Sequence, residues 1–165
     1  MPIDLASRTD PIWATTRFVV TPGDRPVNRY NVAYDLWTYP NPDATGTRTE
    51  VMIWLAYTRD IGNQAIILDT PTIEGYPWKY INENGVPTFM AAGPDLPDTR
   101  LDLMAFFRYL GEHDAVAAYL TGCEFGVEVY KGNGQLDVET SWIELAPPPE
   151  PPQFTPRPPR RYRVT

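Results

Sequence analysis

Short runs of alternating apolar and polar residues, separated by clusters of Pro, Gly, Asn and Asp, fill the first 145 residues of the chain. Alternation with a period of two places successive side chains on opposite faces of a strand, and the clusters supply turns. Strands are therefore predicted over residues 16–20, 30–38, 50–57, 65–68, 78–81, 88–91, 120–130 and 135–145.

One segment has helical spacing instead. Apolar residues recur at intervals of three and four between Asp98, a candidate N-cap residue, and Gly111. Many strands with a single helix favour an all-β domain, either a β-sandwich or a jelly roll.

The last 20 residues differ from the rest in composition. Residues 146–165 hold 8 of the 19 prolines and four arginines against one glutamate, so this segment carries +3 and the preceding 145 residues −10. Proline lacks the backbone donor that a helix or a sheet ladder needs. We therefore predict a sandwich over residues 1–145 and a Pro/Arg-rich extended tail over 146–165, either solvated or docked on another protein chain.

Charge and composition exclude several classes of function. A formal net charge of −7 disfavours nucleic acid as a partner. No apolar run approaches the ~18 residues that span a membrane, and Met1-Pro2-Ile3-Asp4 does not resemble a signal peptide. A single cysteine and a single histidine cannot build a Cys/His zinc cluster, so neither zinc chemistry nor a cysteine protease is expected.

Three strands place carboxylates and aromatic rings on the face opposite their apolar residues. In residues 50–55, Glu50, Met52 and Trp54 share one face; in 32–37, Asp35 and Trp37 do so. In residues 123–130, alternation predicts a core face and an opposite face. The core face has Cys123, Phe125, Val127 and Val129, and the opposite face has Glu124, Gly126, Glu128 and Tyr130.

If these three faces belong to one sheet, carboxylates and aromatic rings line one surface, which suits a sugar polymer. Aromatic rings stack on the apolar faces of pyranose rings, while carboxylates accept hydroxyl hydrogens and perform acid/base chemistry. The alternative is that these glutamates are simply solvated residues on the exposed face of a sheet.

The order of these segments resembles glycoside hydrolase family 12, the small jelly-roll endoglucanases. The resemblance covers roughly residues 6 to 145 and rests on six segments in the same order. They are Asn31-Val32-Ala33-Tyr34-Asp35-Leu36-Trp37, Glu50-Val51-Met52-Ile53-Trp54-Leu55, Asp60-Ile61-Gly62, Gly75-Tyr76-Pro77-Trp78, the aromatic helix Asp102 to Leu110 and the run from Phe125-Gly126-Val127-Glu128 to Leu136.

The resemblance implies a concanavalin-like jelly-roll β-sandwich with one α-helix and a retaining endo-β-1,4-glucanase (cellulase) activity that needs no cofactor. It implies that Glu50 is the nucleophile, Glu128 the general acid/base, and Asp35 a partner of the nucleophile. Glu124 competes for the acid/base role, but the family's glycine and leucine four and eight residues after that glutamate match Gly132 and Leu136. The resemblance also implies substrate-binding roles for Met52, Trp54, Trp37, Glu124 and Tyr130.

The resemblance does not include the N-terminal third of the family's domain. A sandwich truncated on its N-terminal side, with unpaired edges, is therefore predicted. A second protein chain is expected to cover an edge strand or the 146–165 tail. A non-catalytic structural or glycan-binding protein with the same fold is the alternative function. An example is a phage particle (tail or capsid) component, carried in the virion or released by lysis.

Overall fold

The computed structural model describes residues 2–24, 26–62, 65–113 and 117–145, so the predicted tail 146–165 lies outside the described residues. The strands are β1 (Ile3–Asp4), β2 (Trp13–Pro22), β3 (Arg29–Tyr39), β4 (Thr49–Tyr57), β5 (Thr72–Ile73), β6 (Tyr76–Glu83), β7 (Val86–Ala91), β8 (Asp98–Asp102), β9 (Tyr119–Lys131) and β10 (Gly134–Glu144). The helices are α1 (Arg59–Gly62) and α2 (Leu103–His113). Neither helix is long and apolar enough to cross a membrane, within the part of the chain that is described.

Two sheets face each other, which confirms the predicted β-sandwich. The large sheet has seven strands in the order β1-β9-β3-β4-β7-β6-β5, and the small sheet has three in the order β10-β2-β8. Neighbouring strands are antiparallel except for β4 and β7, which run parallel.

The main core lies between the large sheet on one side and the small sheet with α2 on the other. The helix presents its apolar stripe to the large sheet, where Phe106 packs edge-on against Trp78 and Phe89. The inner faces of β3 and β4 contribute fully buried residues such as Tyr34, Leu36 and Ile53. The opposite face of the large sheet takes no part in the main core.

The N-terminus of the predicted helix was placed wrongly. Asp98 begins strand β8, whose residues pair with β2, and Asp102 is the residue that caps α2. Its Oδ1 accepts hydrogen bonds from the backbone N–H of Met104 and of Ile12, both at 3.0 Å. Since residues 98–102 alternate between exposed and buried, the pairing with β2 overrides the local cap signal.

The strand predicted over residues 65–68 is also wrong. The chain there is irregular, and the adjacent Asp69 forms only an isolated bridge with Tyr80. The apolar run that suggested a strand stays in solvent, with Ile66 exposed by 79%.

The core face predicted for β9 holds only in part. Phe125 packs against Phe18 and Tyr34, as expected of a core residue. Val127 and Val129 point the same way, but they are exposed by 39% and 55%. Both line a cavity between the two sheets, together with Val20 of β2 and Leu136 of β10, so they are not tightly packed.

Candidate active site

The functional residues lie on three adjacent strands, with β3 in the middle and β4 and β9 on either side. In the pairing, Asp35 of β3 lies opposite Met52 of β4 and Glu124 of β9. Cross-strand partners share a face, so alternate residues of all three strands point away from the main core. We call this face of β3, β4 and β9 the trough.

An apolar cluster forms the floor of the trough. Met52 and Trp54 are each only 7% exposed although no second sheet covers them. They pack in a cluster separate from the main core, with Ala33, Tyr57, Ile81 and Met90. The indole Nε1 of Trp54 is buried and has no hydrogen-bond partner in the described part of the chain. The two predicted floor residues therefore lie together, on the face that the alternation predicted.

Asp35 is half-buried at the centre of the trough. Burial first, and then the charges of Glu128, Glu50 and Glu124, raise the pKa of its carboxyl to about 7. Its Oδ1 is buried and receives no hydrogen bond from the described residues. A carboxyl that keeps its proton near neutral pH can donate a hydrogen bond to a neighbouring carboxylate.

Glu50 lies opposite Trp37 on the β4 side of the trough and is half-buried. Burial and the charge of Glu128 raise its pKa, while the guanidinium of Arg48 lowers it. The same guanidinium lies 4.1 Å from the centre of the Trp37 ring, so it covers one face of that ring. Arg48 therefore contacts one predicted binding residue and favours the ionised form of Glu50.

Glu128 lies on the β9 side of the trough and is held by two neighbours. Its Oε2 accepts hydrogen bonds of 2.7 Å from Asn31 Nδ2 and from the Tyr130 hydroxyl. Asn31 also donates to that hydroxyl at 3.0 Å, which closes a triangle of three polar groups. Both bonds to the carboxylate fall on Oε2, so among the described residues Oε1 accepts no hydrogen bond from a side chain.

The strand register separates Glu50 from Glu128. They lie opposite Trp37 and Asn31, which are six positions apart on β3. In a flat sheet six positions span ~20 Å. The register shifts of β3 against both neighbours mark bulges, which bend and twist strands. The charge of Glu128 contributes to the raised pKa of Glu50, so the two carboxyls interact electrostatically across the trough.

Glu124 shares the trough but has different surroundings. It lies opposite Asp35 and is exposed, and no described side chain donates a hydrogen bond to it. Its negative charge adds to the rise in the pKa values of Asp35 and Glu50. All eight residues singled out from the sequence thus come to one face, where Glu128 accepts two side-chain hydrogen bonds and Glu124 accepts none from the described residues.

Sequence reasoning assigned no role to Asn31 or Arg48. Asn31 begins the segment that contains Asp35, and the spacing of four along a strand puts the two on the same face. That parity could have identified it. Arg48 lies in irregular chain directly before β4, outside the strand to which alternation applies.

Metal-binding groups of three or more His, Cys, Asp or Glu side chains are absent from the described ranges. The four carboxylates of the trough lie on strands whose spacing spreads them along the face. The arrangement is suited to proton transfer and nucleophilic attack on a ligand lying across the three strands.

Comparison with known families gives a match over most of the chain. Residues 17–145 match the family described as Glycosyl hydrolase family 12. The chain is 34% identical over 111 residues to the xyloglucan-specific endo-beta-1,4-glucanase A of Aspergillus niger, a match that covers 62% of this chain and 46% of the relative.

Solved structures show the same fold. Endoglucanase 3 of Trichoderma harzianum, from family GH12, superposes with a TM-score of 0.72 at 30% identity, covering 87% of this chain and 66% of that one. The family 12 xyloglucanase of Bacillus licheniformis gives a TM-score of 0.74 at 24% identity, covering 87% and 65%. The chain therefore spans about half the length of the curated relative and about two thirds of the solved structures.

Proposed function

Since the chain belongs to glycosyl hydrolase family 12, we propose that its trough binds and hydrolyses β-1,4-glucan chains. One observation carries this: Glu50, Glu128 and Asp35 share the trough with the apolar floor of Met52 and Trp54. The floor and Trp37 give sugar rings an apolar surface, while the carboxylates supply the reacting groups. Residues 1–145 form the proposed catalytic unit.

The proposed reaction uses two glutamates and two steps. Glu50 attacks the anomeric carbon while Glu128 gives a proton to the departing glycosidic oxygen, which leaves a glycosyl ester on Glu50. Glu128 then takes a proton from water, the water attacks the same carbon, and Glu50 leaves with its bond electrons. The anomeric configuration is retained because the carbon is inverted twice.

Asp35 would assist the nucleophile. With a pKa of about 7, its carboxyl keeps its proton through the acidic range. Donation of that proton as a hydrogen bond to Glu50 would stabilise the carboxylate released when the glycosyl ester breaks down.

The activity test is release of reducing sugar from soluble β-glucan by the full chain. Glu50→Gln removes the nucleophile with little change in volume, so we expect the rate to fall at least about a thousandfold. Glu139→Gln makes the same chemical change on exposed β10 and should match the wild type. A wild type that retards on glucan affinity gels but releases no sugar would support a glycan-binding protein instead.

A second pair of variants tests the acid/base assignment. Glu128→Gln should lose most hydrolysis of unactivated glucan, because only a protonated carboxyl assists a poor leaving group. Glu124→Gln should mainly raise KM. An inactive Glu124 variant beside an active Glu128 variant would reverse the two roles. Proton NMR of fresh product tests retention: the β-anomer should appear first and then mutarotate.

A further inference from the structure

The two sheets end on the same side of the molecule in strands that carry exposed apolar residues. β10 is the terminal strand of the small sheet, and β9 has only the two-residue β1 beyond it in the large sheet. The exposed residues are Val127 and Val129 of β9 and Val138 and Ile143 of β10, at 39%, 55%, 47% and 37%. We call these four residues and the edges of β9 and β10 the open side.

These residues belong to the inner faces of the sandwich. Val138 lies opposite Phe18, and Ile143 lies opposite Ala14; both partners on β2 are buried in the main core. Val127 and Val129 alternate with Glu128, whose side chain is in the trough on the other face. The open side is thus a cross-section of the core that reaches solvent.

The backbone at the open side is unpaired as well. β1 pairs with Tyr119 and Leu120 of β9, and no other described strand reaches the outer edge of β9 between residues 121 and 131. The outer edge of β10 has no described neighbour along its whole length. Long bare edges beside apolar side chains are templates for pairing with another strand.

We propose that the open side is the interface of a homodimer, in which both sheets continue into a second copy of the chain. An antiparallel pair of identical strands is symmetric about a two-fold axis perpendicular to the sheet. The strand directions in the two sheets of a sandwich differ by only about 30°. One two-fold axis can therefore relate β9 to the β9 strand of the second copy and β10 to its β10 strand. The two troughs then face the same direction.

One register of the β9 pair fits the side chains well. With Val127 opposite its own copy, Phe125 meets the partner's Val129 across the shared core. On the trough face, Glu128 meets the partner's Gly126 and Glu124 meets the partner's Tyr130. No two carboxylates lie directly opposite one another, which avoids the like-charge contacts that destabilise sheets.

The size of the open side suits a stable dimer. The 11 residues of β10 span ~36 Å, and two sheets ~10 Å apart with their side chains give a depth of ~20 Å. The product, ~700 Å² on each copy, is close to the ~800 Å² per partner of standard interfaces. The open side is therefore large enough to form a stable interface with a second copy of the chain.

The test is the mass of the full chain in solution by light scattering and sedimentation. The wild type should have twice the mass of one chain at micromolar concentration. Val129→Lys places a charge in the shared core and should weaken the dimer at least about tenfold. Val19→Lys changes a valine of similar exposure, 49%, on the outer face of β2 and should leave the dimer intact.

Two results would overturn the proposal. One is a wild type that stays monomeric up to about 100 μM. In that case, hydrogen exchange shows whether residues 146–165 protect β9 and β10 or whether the edges remain bare. The other is a dimer that survives in both Val129→Lys and Val138→Lys, which would place the interface elsewhere. Near-UV circular dichroism checks that each variant is folded, and Val138→Lys replaces Val129→Lys if the latter is not.

Discussion

Glu128 is oriented by two hydrogen-bond donors, one on the neighbouring strand and one on its own strand. Asn31 comes from β3 and Tyr130 from β9, and both donate to the same carboxylate oxygen at 2.7 Å. A hydrogen bond to a charged group contributes about 1.5–3 kcal/mol when it forms in a protein. Either donor can therefore be removed with a measurable effect on the reaction and with the strand left intact.

Tyr130→Phe should lower kcat on unactivated β-glucan about tenfold, because it removes one of the two bonds that position Glu128. On an aryl glucoside with a good leaving group the loss should be small, since protonation then contributes little. Tyr76→Phe, on the core side of β6, is the matched control. Equal losses on both substrates would show that the hydroxyl binds sugar rather than positions the glutamate.

Asp35 makes stability depend on pH. The pKa of its carboxyl is raised from 3.8 to about 7 in the folded chain, so the folded state holds a proton that the unfolded chain releases. The contribution to stability is complete below pH 4 and is lost as the pH rises to about 7. Part of the side chain faces solvent, which reduces the size of the effect.

Asp35→Asn removes the titrating carboxyl and keeps nearly the same side-chain shape. We expect the melting temperature of the variant, relative to that of the wild type, to rise by about 2–4 °C from pH 4 to pH 8. A difference of about 1 kcal/mol produces a change of this size in a domain of this length. Thermal melts at intervals of one pH unit measure it. A constant difference across that range would contradict burial of a titrating carboxyl at this position.

At the scale of elements, the β9–β10 connection carries the chain from the large sheet to the small one. Gly132 has a φ of 94°, and a Cβ there would come within 2.8 Å of the carbonyl oxygen of Val27. Asn133 N–H donates to Asn28 Oδ1 at 3.1 Å, and Gly23 N–H donates to the Asn133 carbonyl at 2.9 Å. The turn is therefore fixed both by its own backbone and by the loop before β3.

Gly132→Ala should lower the free energy of unfolding by about 1–3 kcal/mol, because the new Cβ meets backbone in a left-handed conformation. Gly126→Ala is the control: it lies within β9, and a Cβ there would have no atom within 4 Å. Urea titrations compare the two. A neutral Gly132 variant would mean that the loop before β3 moves aside easily.

The junction of β8 and α2 supplies a second test at this scale. Asp102 binds two backbone donors and, at 2.8 Å, Arg108, so Asp102→Ala should cost about 2–4 kcal/mol. Asp98 only pairs with Arg17 at the surface, so Asp98→Ala should cost less than about 1 kcal/mol. The urea unfolding midpoints of the two variants measure these losses. A larger loss for Asp98→Ala than for Asp102→Ala would indicate that Asp98 caps α2.

At the scale of the molecule, stability is unevenly distributed. β3 and β4 lie inside the large sheet with paired neighbours on both sides and many buried residues. β10 pairs with one strand only, and almost all of its residues are exposed. Local opening costs least where few apolar contacts are lost.

Amide exchange in the Val129→Lys variant, which isolates the single chain, should show this gradient. We expect amides of β4 to exchange at least about a hundredfold more slowly than those of β10. Mass spectrometry of peptic fragments is sufficient to measure it. Equal protection of both strands would indicate that the sandwich opens as one cooperative unit.

Local alternation predicted the strands of the trough and which side chains point away from the apolar face of each strand. It is a property of extended backbone within one strand, so it placed Asp35, Glu50 and Glu128 on the face opposite the apolar residues of their own strands. The floor residues Met52 and Trp54 followed by the same rule. The resemblance to family 12 added the proposed roles, which alternation could not supply.

Tertiary structure alone decided what lies beside each strand. Val127 and Val129 have the alternation of core residues, yet they line a cavity and stay partly exposed. Asp98 has the chemistry of a cap but pairs in a sheet. Asn31 and Arg48 acquire their roles only through contacts with Glu128 and Trp37. The physical reason is that periodicity fixes the direction of a side chain, whereas burial and hydrogen bonding depend on segments far away in the sequence.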